Sequence, residues 1–129
     1  MNPNNLKYSK NHEWIQLDNN NHELAYIGIS FFAKNELGDI IYLDIDSTII
    51  GKKIKEGNLF GSIETVKSVS DLFMPVSGII LKINQNLLSK PEKIKQNNEE
   101  WLLKITVLDK KEYDQLMSLS QYKKYLENK

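Results

Sequence analysis

Gly61-Ser62-Ile63-Glu64-Thr65-Val66-Lys67-Ser68-Val69-Ser70-Asp71 is the stretch on which the reading of this chain turns. It sets one lysine in the middle of a β pattern, with short side chains on both sides. By residue type alone Lys67 is one of seventeen basic residues, and exposed lysines are commonplace. From Leu59 to Ile83 the chain is β-rich, punctuated by Pro75 and Gly78, and on pattern alone Lys67 reads as a surface lysine at a hairpin tip. Gly78 closes Pro75-Val76-Ser77-Gly78, a turn or bulge signal, and positive φ is the expected reason for the glycine.

Working outward, residues 13–17 and 22–29 read as strands separated by the turn signal Asp18-Asn19-Asn20-Asn21. Ser30 is placed to cap a short helix running to Leu37, with Gly38 as the left-handed residue that ends it. Ile41, Leu43 and Ile45 alternate with Ile40, Tyr42 and Asp44, the period of a strand with one face inward. Gly51 and Gly57 bracket a charged turn. Residues 84–98 are polar and read as a loop with a helical turn, and Trp101 to Val107 alternates as a strand. Asp109 with Glu112 has capping-box spacing, Tyr113, Leu116 and Met117 fall on one helical face, and Ser120 is placed to cap a second helix carrying Tyr122, Tyr125 and Leu126. The sum is a small, mainly β domain with a short internal helix and a helical C-terminus. One domain is expected over 1–129, with 1–7 as an extension and 109–127 as the helical end.

Composition removes several classes of function. Seventeen basic and seventeen acidic residues cancel, and every basic residue is lysine, so the usual side chain for bidentate phosphate or base recognition is missing. Neither nucleic acid nor a membrane is expected as a partner. There is no cysteine, which removes disulfides and thiolate metal sites. His12 and His22 stand apart from one another and from ligand-like carboxylates, with His22 expected in solvent. No phosphate loop or nucleophile elbow is present, so the chain is not expected to be an enzyme. The opening Met1-Asn2-Pro3-Asn4-Asn5 has neither the apolar core of a secretion signal nor the arginines of a transit peptide. A bacterial cytoplasmic location is the expectation, mitochondrial only if a presequence has been removed.

Glu64-Thr65-Val66-Lys67-Ser68-Val69-Ser70-Asp71 resembles the E-S-V-K-A-x-S-D segment around the lipoylated lysine of glycine cleavage H proteins. Further matches follow in family order. Tyr8-Ser9-Lys10-Asn11-His12-Glu13-Trp14 resembles Y-x-x-x-H-E-W, Ile27-Gly28-Ile29-Ser30 with Ala33 resembles V-G-I-T-x-x-A, and Leu37-Gly38-Asp39-Ile40 resembles L-G-D-[IV]. Pro75-Val76-Ser77-Gly78 with Asn84, Trp101-Leu102-Leu103-Lys104-Ile105, and a closing helix from Tyr122 to Leu126 complete the series. Each motif is weak alone; the ordered set is specific. Two departures stand out: Glu100-Trp101 replaces G-W, and Lys95 to Glu100 lacks the P-Y-x-x-G pattern.

The resemblance implies a barrel-sandwich hybrid fold of the lipoyl/biotinyl kind, with lipoic acid bound covalently as N6-lipoyllysine at Lys67. It implies a carrier that takes the aminomethyl group of glycine from glycine decarboxylase (the P protein) to the aminomethyltransferase (the T protein). Dihydrolipoyl dehydrogenase (the L protein) and a lipoate ligase or a lipoyl transferase/synthase are the other implied partners. It further implies that the loaded arm folds into a cleft near Asn11, Glu13 and Asp71, with Asn11 standing where serine is frequent. Glu13→Ala is accordingly expected to leave stability and lipoylation nearly unchanged. Thr65 and Ser68 enter only as side chains small enough not to crowd the arm. Two other carriers remain open: an H-like protein of lipoyl relay, and a lipoyl domain of a 2-oxoacid dehydrogenase system. The latter resembles E-T-D-K-A at its lysine but brings Ala/Pro-rich linkers that this chain lacks. Biotin carriers show M-K-M where this chain has Val66-Lys67-Ser68.

Overall fold

The computed structural model describes residues 6–96 and 100–128. Among the described residues, nine strands form two antiparallel sheets: β1 (Lys7–Tyr8), β2 (Glu13–Leu17), β3 (Leu24–Ile29), β4 (Ile40–Asp44), β5 (Lys53–Ile54), β6 (Leu59–Thr65), β7 (Val69–Phe73), β8 (Gly78–Ile83) and β9 (Leu103–Val107). A six-stranded sheet has the order β1-β2-β3-β9-β8-β5, and a three-stranded sheet the order β4-β6-β7. Ile15, Ile27, Ile63, Leu72, Ile80 and Ile105, all buried, belong to one core to which both sheets contribute. This is the mainly β sandwich with a short internal helix and a helical end that the sequence led us to expect. The helices are α1 (Phe31–Glu36), α2 (Gln85–Ser89), α3 (Lys93–Gln96), α4 (Lys110–Asp114) and α5 (Leu119–Glu127), with a 3-10 turn at Ser47–Ile49. Among the described residues no helix is long and apolar enough to cross a membrane. The expected extension 1–7 lies outside the described residues up to Asn5, while Leu6 is buried and Lys7 opens β1. Of the expected loop 84–98, residues 97 and 98 are outside them as well, and α2 and α3 occupy much of the rest.

The six-stranded sheet has a second apolar cluster made of Leu6, Tyr8, Trp14 and Tyr122, with Trp101, Met117 and Tyr125 packed on it. Along β2, Ile15 joins the main core and Trp14 this second cluster, as the two-residue period of a strand requires. Trp14 pairs across the sheet with Gly28, and a Cβ on Gly28 would run into the indole ring. Glycine is needed there for close approach.

Several local expectations are corrected by tertiary contacts. β3 starts at Leu24 instead of residue 22, because residues 21–24 form a turn in which Asn21 accepts from Glu23 N–H through its side chain and from Leu24 N–H through its carbonyl. α1 ends at Glu36 without a left-handed glycine: Leu37 is extended (φ −78°, ψ 138°), and Lys95 Nζ donates to its carbonyl at 2.6 Å. A bulge between Ile40 and Tyr42 breaks the alternation of β4, so Ile40 is buried and Ile41 exposed. Asp109 caps α4, but Glu112 does not complete a capping box; it accepts from Ser77 N–H at 2.7 Å and Ser77 Oγ at 3.1 Å. α4 stops at Asp114, before Leu116 and Met117, where Tyr8 and Met117 exchange backbone bonds of 2.8 and 2.9 Å. Ser118 and Gln121, not Ser120, cap α5 in a reciprocal capping box. Gly78 does not use positive φ, which among the described glycines is found at Gly51 and Gly57. A Cβ on Gly78 would lie 2.8 Å from Ile105 Cδ1 and 2.9 Å from the Thr106 carbonyl oxygen. Close strand packing, not turn geometry, is what requires that glycine.

Candidate functional site: a lysine hairpin beside an acidic cavity

β6 and β7 pair in antiparallel register, Glu64 opposite Val69 and Ser62 opposite Asp71, and Lys67 stands at the tip between them. Val66, Lys67 and Ser68 are exposed, Val66 to 74%, while Thr65 beside them is buried at 6%. Among the described residues none forms a hydrogen bond or ion pair with the Lys67 ammonium. Lys67 is thus open to solvent and stands on a pair of hydrogen-bonded strands, the placement that a lysine modified by another protein would need. The exposed face beside it carries the cross-strand row Tyr42, Glu64 and Val69.

A cavity of about 250 Å³ opens between this hairpin, β2 and α1. Asn11, Glu13 and Asp71 all line it, with His12, Glu36 and Ser70 as further polar neighbours. Its apolar wall includes Ile29, Phe32, Leu37 and Ile63. From Lys67 to Asp71 the chain runs four residues, about 13 Å if fully extended. A larger cavity, about 340 Å³, also takes in Asn11 but lies against α4 and includes no residue of the hairpin.

The three residues named from the sequence differ in environment. Asn11 and Asp71 are exposed, whereas Glu13 is 1% exposed. Glu13 accepts from Ser9 Oγ at 2.7 Å through one oxygen and from Phe73 N–H at 3.3 Å through the other. Burial pushes its carboxyl up to about 7, against the smaller opposing pull of these two hydrogen bonds. Near neutrality it therefore exchanges readily between a neutral and an anionic form. A cation entering the cavity favours the anion.

His12, read as solitary, is part of the support. It has φ 71°, uncommon for a non-glycine residue, held by its N–H to the Ser9 carbonyl and by Ser30 N–H to its own carbonyl. Its Nδ1 lies 2.7 Å from Tyr122 Oη, which lies 2.7 Å from Ser30 Oγ. Tyr122 also stacks on Tyr8 with centroids 4.6 Å apart, so α5 is fastened to the wall of the cavity. The Ser9–Glu13 pair lies four residues apart inside a quoted motif. The His12–Tyr122 contact spans 110 residues and left no mark on local pattern. Glu36, which ends α1, was likewise missed: its place in the cavity depends on how that helix packs. His22 is exposed, and among the described residues no three His, Cys, Asp or Glu side chains are grouped to hold a metal.

Residues 6–129 match the family model described as glycine cleavage H-protein. A glycine cleavage system H protein of Staphylococcus epidermidis is 41% identical over 122 residues, 93% of each chain. One of Halothermothrix orenii is 40% identical over 127 residues, covering 97% of this chain and 95% of its own. In three dimensions the chain is similar to the crystal structure of a glycine cleavage system H protein from Mycobacterium marinum. The TM-score is 0.77 at 26% identity, over 94% of this chain and 95% of that one.

Proposed function

Because this chain belongs to the glycine cleavage H-protein family, whose members are carriers and not catalysts, we propose that it is the lipoyl shuttle of glycine cleavage, with Lys67 as the attachment point. In this reading it receives the aminomethyl group of glycine from glycine decarboxylase and delivers it to an aminomethyltransferase. Dihydrolipoyl dehydrogenase restores the disulfide, and a lipoate ligase or lipoyl transferase installs the cofactor. The observation that supports it most is the pairing of an exposed tip lysine with a cavity that begins three residues further along the same hairpin.

Lipoic acid in amide linkage to Lys67 would supply a dithiolane able to accept electrons and a one-carbon group. The chain's own residues supply placement. Lys67 projects beyond a hairpin whose inward side chains, Ile63 and Leu72, are anchored in the core. Asp71, Glu36 and Glu13 give the cavity an acidic polar side suited to an ammonium, and Ile29 and Phe32 an apolar side suited to a hydrocarbon chain. Asn11 can accept a hydrogen bond through its amide oxygen.

The test is glycine-dependent release of carbon dioxide by a purified glycine decarboxylase given the lipoylated protein. The expected result is release that requires the lipoylated form. Lipoylated protein that fails to support release would favour the relay carrier instead.

A further inference from the structure

We propose that Thr65 is the positioning residue of the lysine turn, its hydroxyl replacing the backbone acceptor that would otherwise close the hairpin. The inference rests on the reading of Lys67 as the attachment point. A two-residue hairpin loop is ordinarily closed by type I′ or II′ geometry, which needs positive φ at the first central residue. Here the central residues are Val66 and Lys67, and neither has positive φ. A β-branched valine disfavours that region strongly. The sequence therefore offers none of the Gly or Asn chemistry that common hairpin turns use.

The structure shows what takes its place. Thr65 N–H donates to the Ser68 carbonyl at 2.8 Å, which is one half of the usual closing pair. In the other half Ser68 N–H donates to Thr65 Oγ1, at 3.2 Å, where the Thr65 carbonyl would normally accept. The hydroxyl proton is in turn directed to the Ser68 carbonyl at 3.3 Å, with Ser68 Oγ at 3.4 Å. Thr65 is buried at 6% while Val66 is 74% exposed, so the side chain that ties the turn faces inward and the residues it presents face outward. A small neighbour that leaves room for an arm does not account for this arrangement; a hydroxyl at that position does.

Acylation shows why direction matters. The neutral Nζ of Lys67 attacks the acyl carbon of a lipoyl-adenylate made from lipoate and ATP. The new amide bond forms, the bond to the adenylate oxygen breaks, AMP leaves, and the amine proton passes to solvent. Thr65 takes no part in these bonds. A tip left untied samples more conformations, and a ligase must then order it on binding.

The experiment uses the full chain with purified lipoate–protein ligase, ATP and lipoate, comparing wild type, Thr65→Val, Thr65→Ser and Lys67→Arg. We expect kcat/KM for Thr65→Val to fall about tenfold, roughly 1.4 kcal/mol in the transition state. Thr65→Ser, which keeps the hydroxyl, should lie within about twofold of wild type on the same scale. Amide exchange of wild type should show Ser68 N–H protected and Lys67 N–H open. That pattern should persist in Thr65→Ser and vanish in Thr65→Val. Thr65→Val acylated as well as wild type, Thr65→Ser impaired as badly as Thr65→Val, or an unprotected Ser68 N–H in wild type would each overturn the proposal. Acylation of Lys67→Arg would instead remove the premise about Lys67, while Ser68 exchange still reports whether Thr65 closes the turn.

Discussion

From Thr65 to Val69 four of five side chains are exposed, whereas from Tyr8 to Trp14 four of seven are buried. Both stretches resemble family motifs, but the earlier one lines the cavity through Asn11, His12 and Glu13, whereas the tip stands beyond its edge at Ser70. The difference lies in what holds each in place. At the tip, a few bonds between Thr65 and Ser68 fix the backbone and leave Val66 and Lys67 exposed. In the earlier segment, Tyr8 stacks on Tyr122, His12 meets the same tyrosine, Glu13 joins β2 to β7, and Trp14 lies on Gly28. Residues of the first kind are free to serve chemistry because the fold does not depend on them. Residues of the second kind serve the fold first, and Glu13 is both buried in these contacts and part of the cavity lining.

The largest effect expected from breaking this contrast is at the buried segment. Gly28→Ala forces its new methyl group into the Trp14 indole, and a loss of about 3 kcal/mol is expected by denaturant unfolding. Gly78→Ala meets Ile105 and the Thr106 carbonyl less severely, and about 1–2 kcal/mol is expected in the same experiment. A Gly28→Ala protein as stable as wild type would mean the indole has room that the geometry denies it.

Glu13 comes next, and it revises the expectation that Glu13→Ala leaves stability nearly unchanged. Removing the carboxylate orphans the Ser9 hydroxyl and the Phe73 N–H, a loss of about 1–3 kcal/mol. Glu13→Gln keeps an acceptor and removes the titration. Because the folded-state pKa is raised from 4.5 to about 7, the protonated acid contributes stability in full below about pH 4.5. That contribution is lost as pH rises through about 7. Wild type should therefore lose stability relative to Glu13→Gln between these values, and parallel melting curves across them would show that Glu13 does not titrate there.

These corrections show where the sequence stopped being legible. The tip lysine, the strands on either side of it, the aromatic closing helix and the neighbours Asn11, Glu13 and Asp71 could all be named from ordered motifs. What could not be read was which residues bury. Nothing local distinguishes Glu13 from Asp71, and only the placement of β2 against β7 makes the first inaccessible. Capping failed for a similar reason: Glu112 had a stronger offer from Ser77, on a different turn of the chain, than from its own helix. Gly78 was recognised as necessary but for the wrong cause, because close packing against β9 leaves no signature in a single strand. Hairpin closure by Thr65 stayed hidden because a threonine in a β pattern looks like an ordinary strand residue.

The smallest expected effect on stability is at Lys67, where exposure predicts that Lys67→Arg unfolds within about 0.5 kcal/mol of wild type. The same substitution bears most directly on function. Intact mass and peptide mapping of protein from lipoate-competent cells should find one lipoyl group, on Lys67, in the wild type and none in Lys67→Arg. A lipoyl group on another lysine, with Lys67 free, would contradict the assignment.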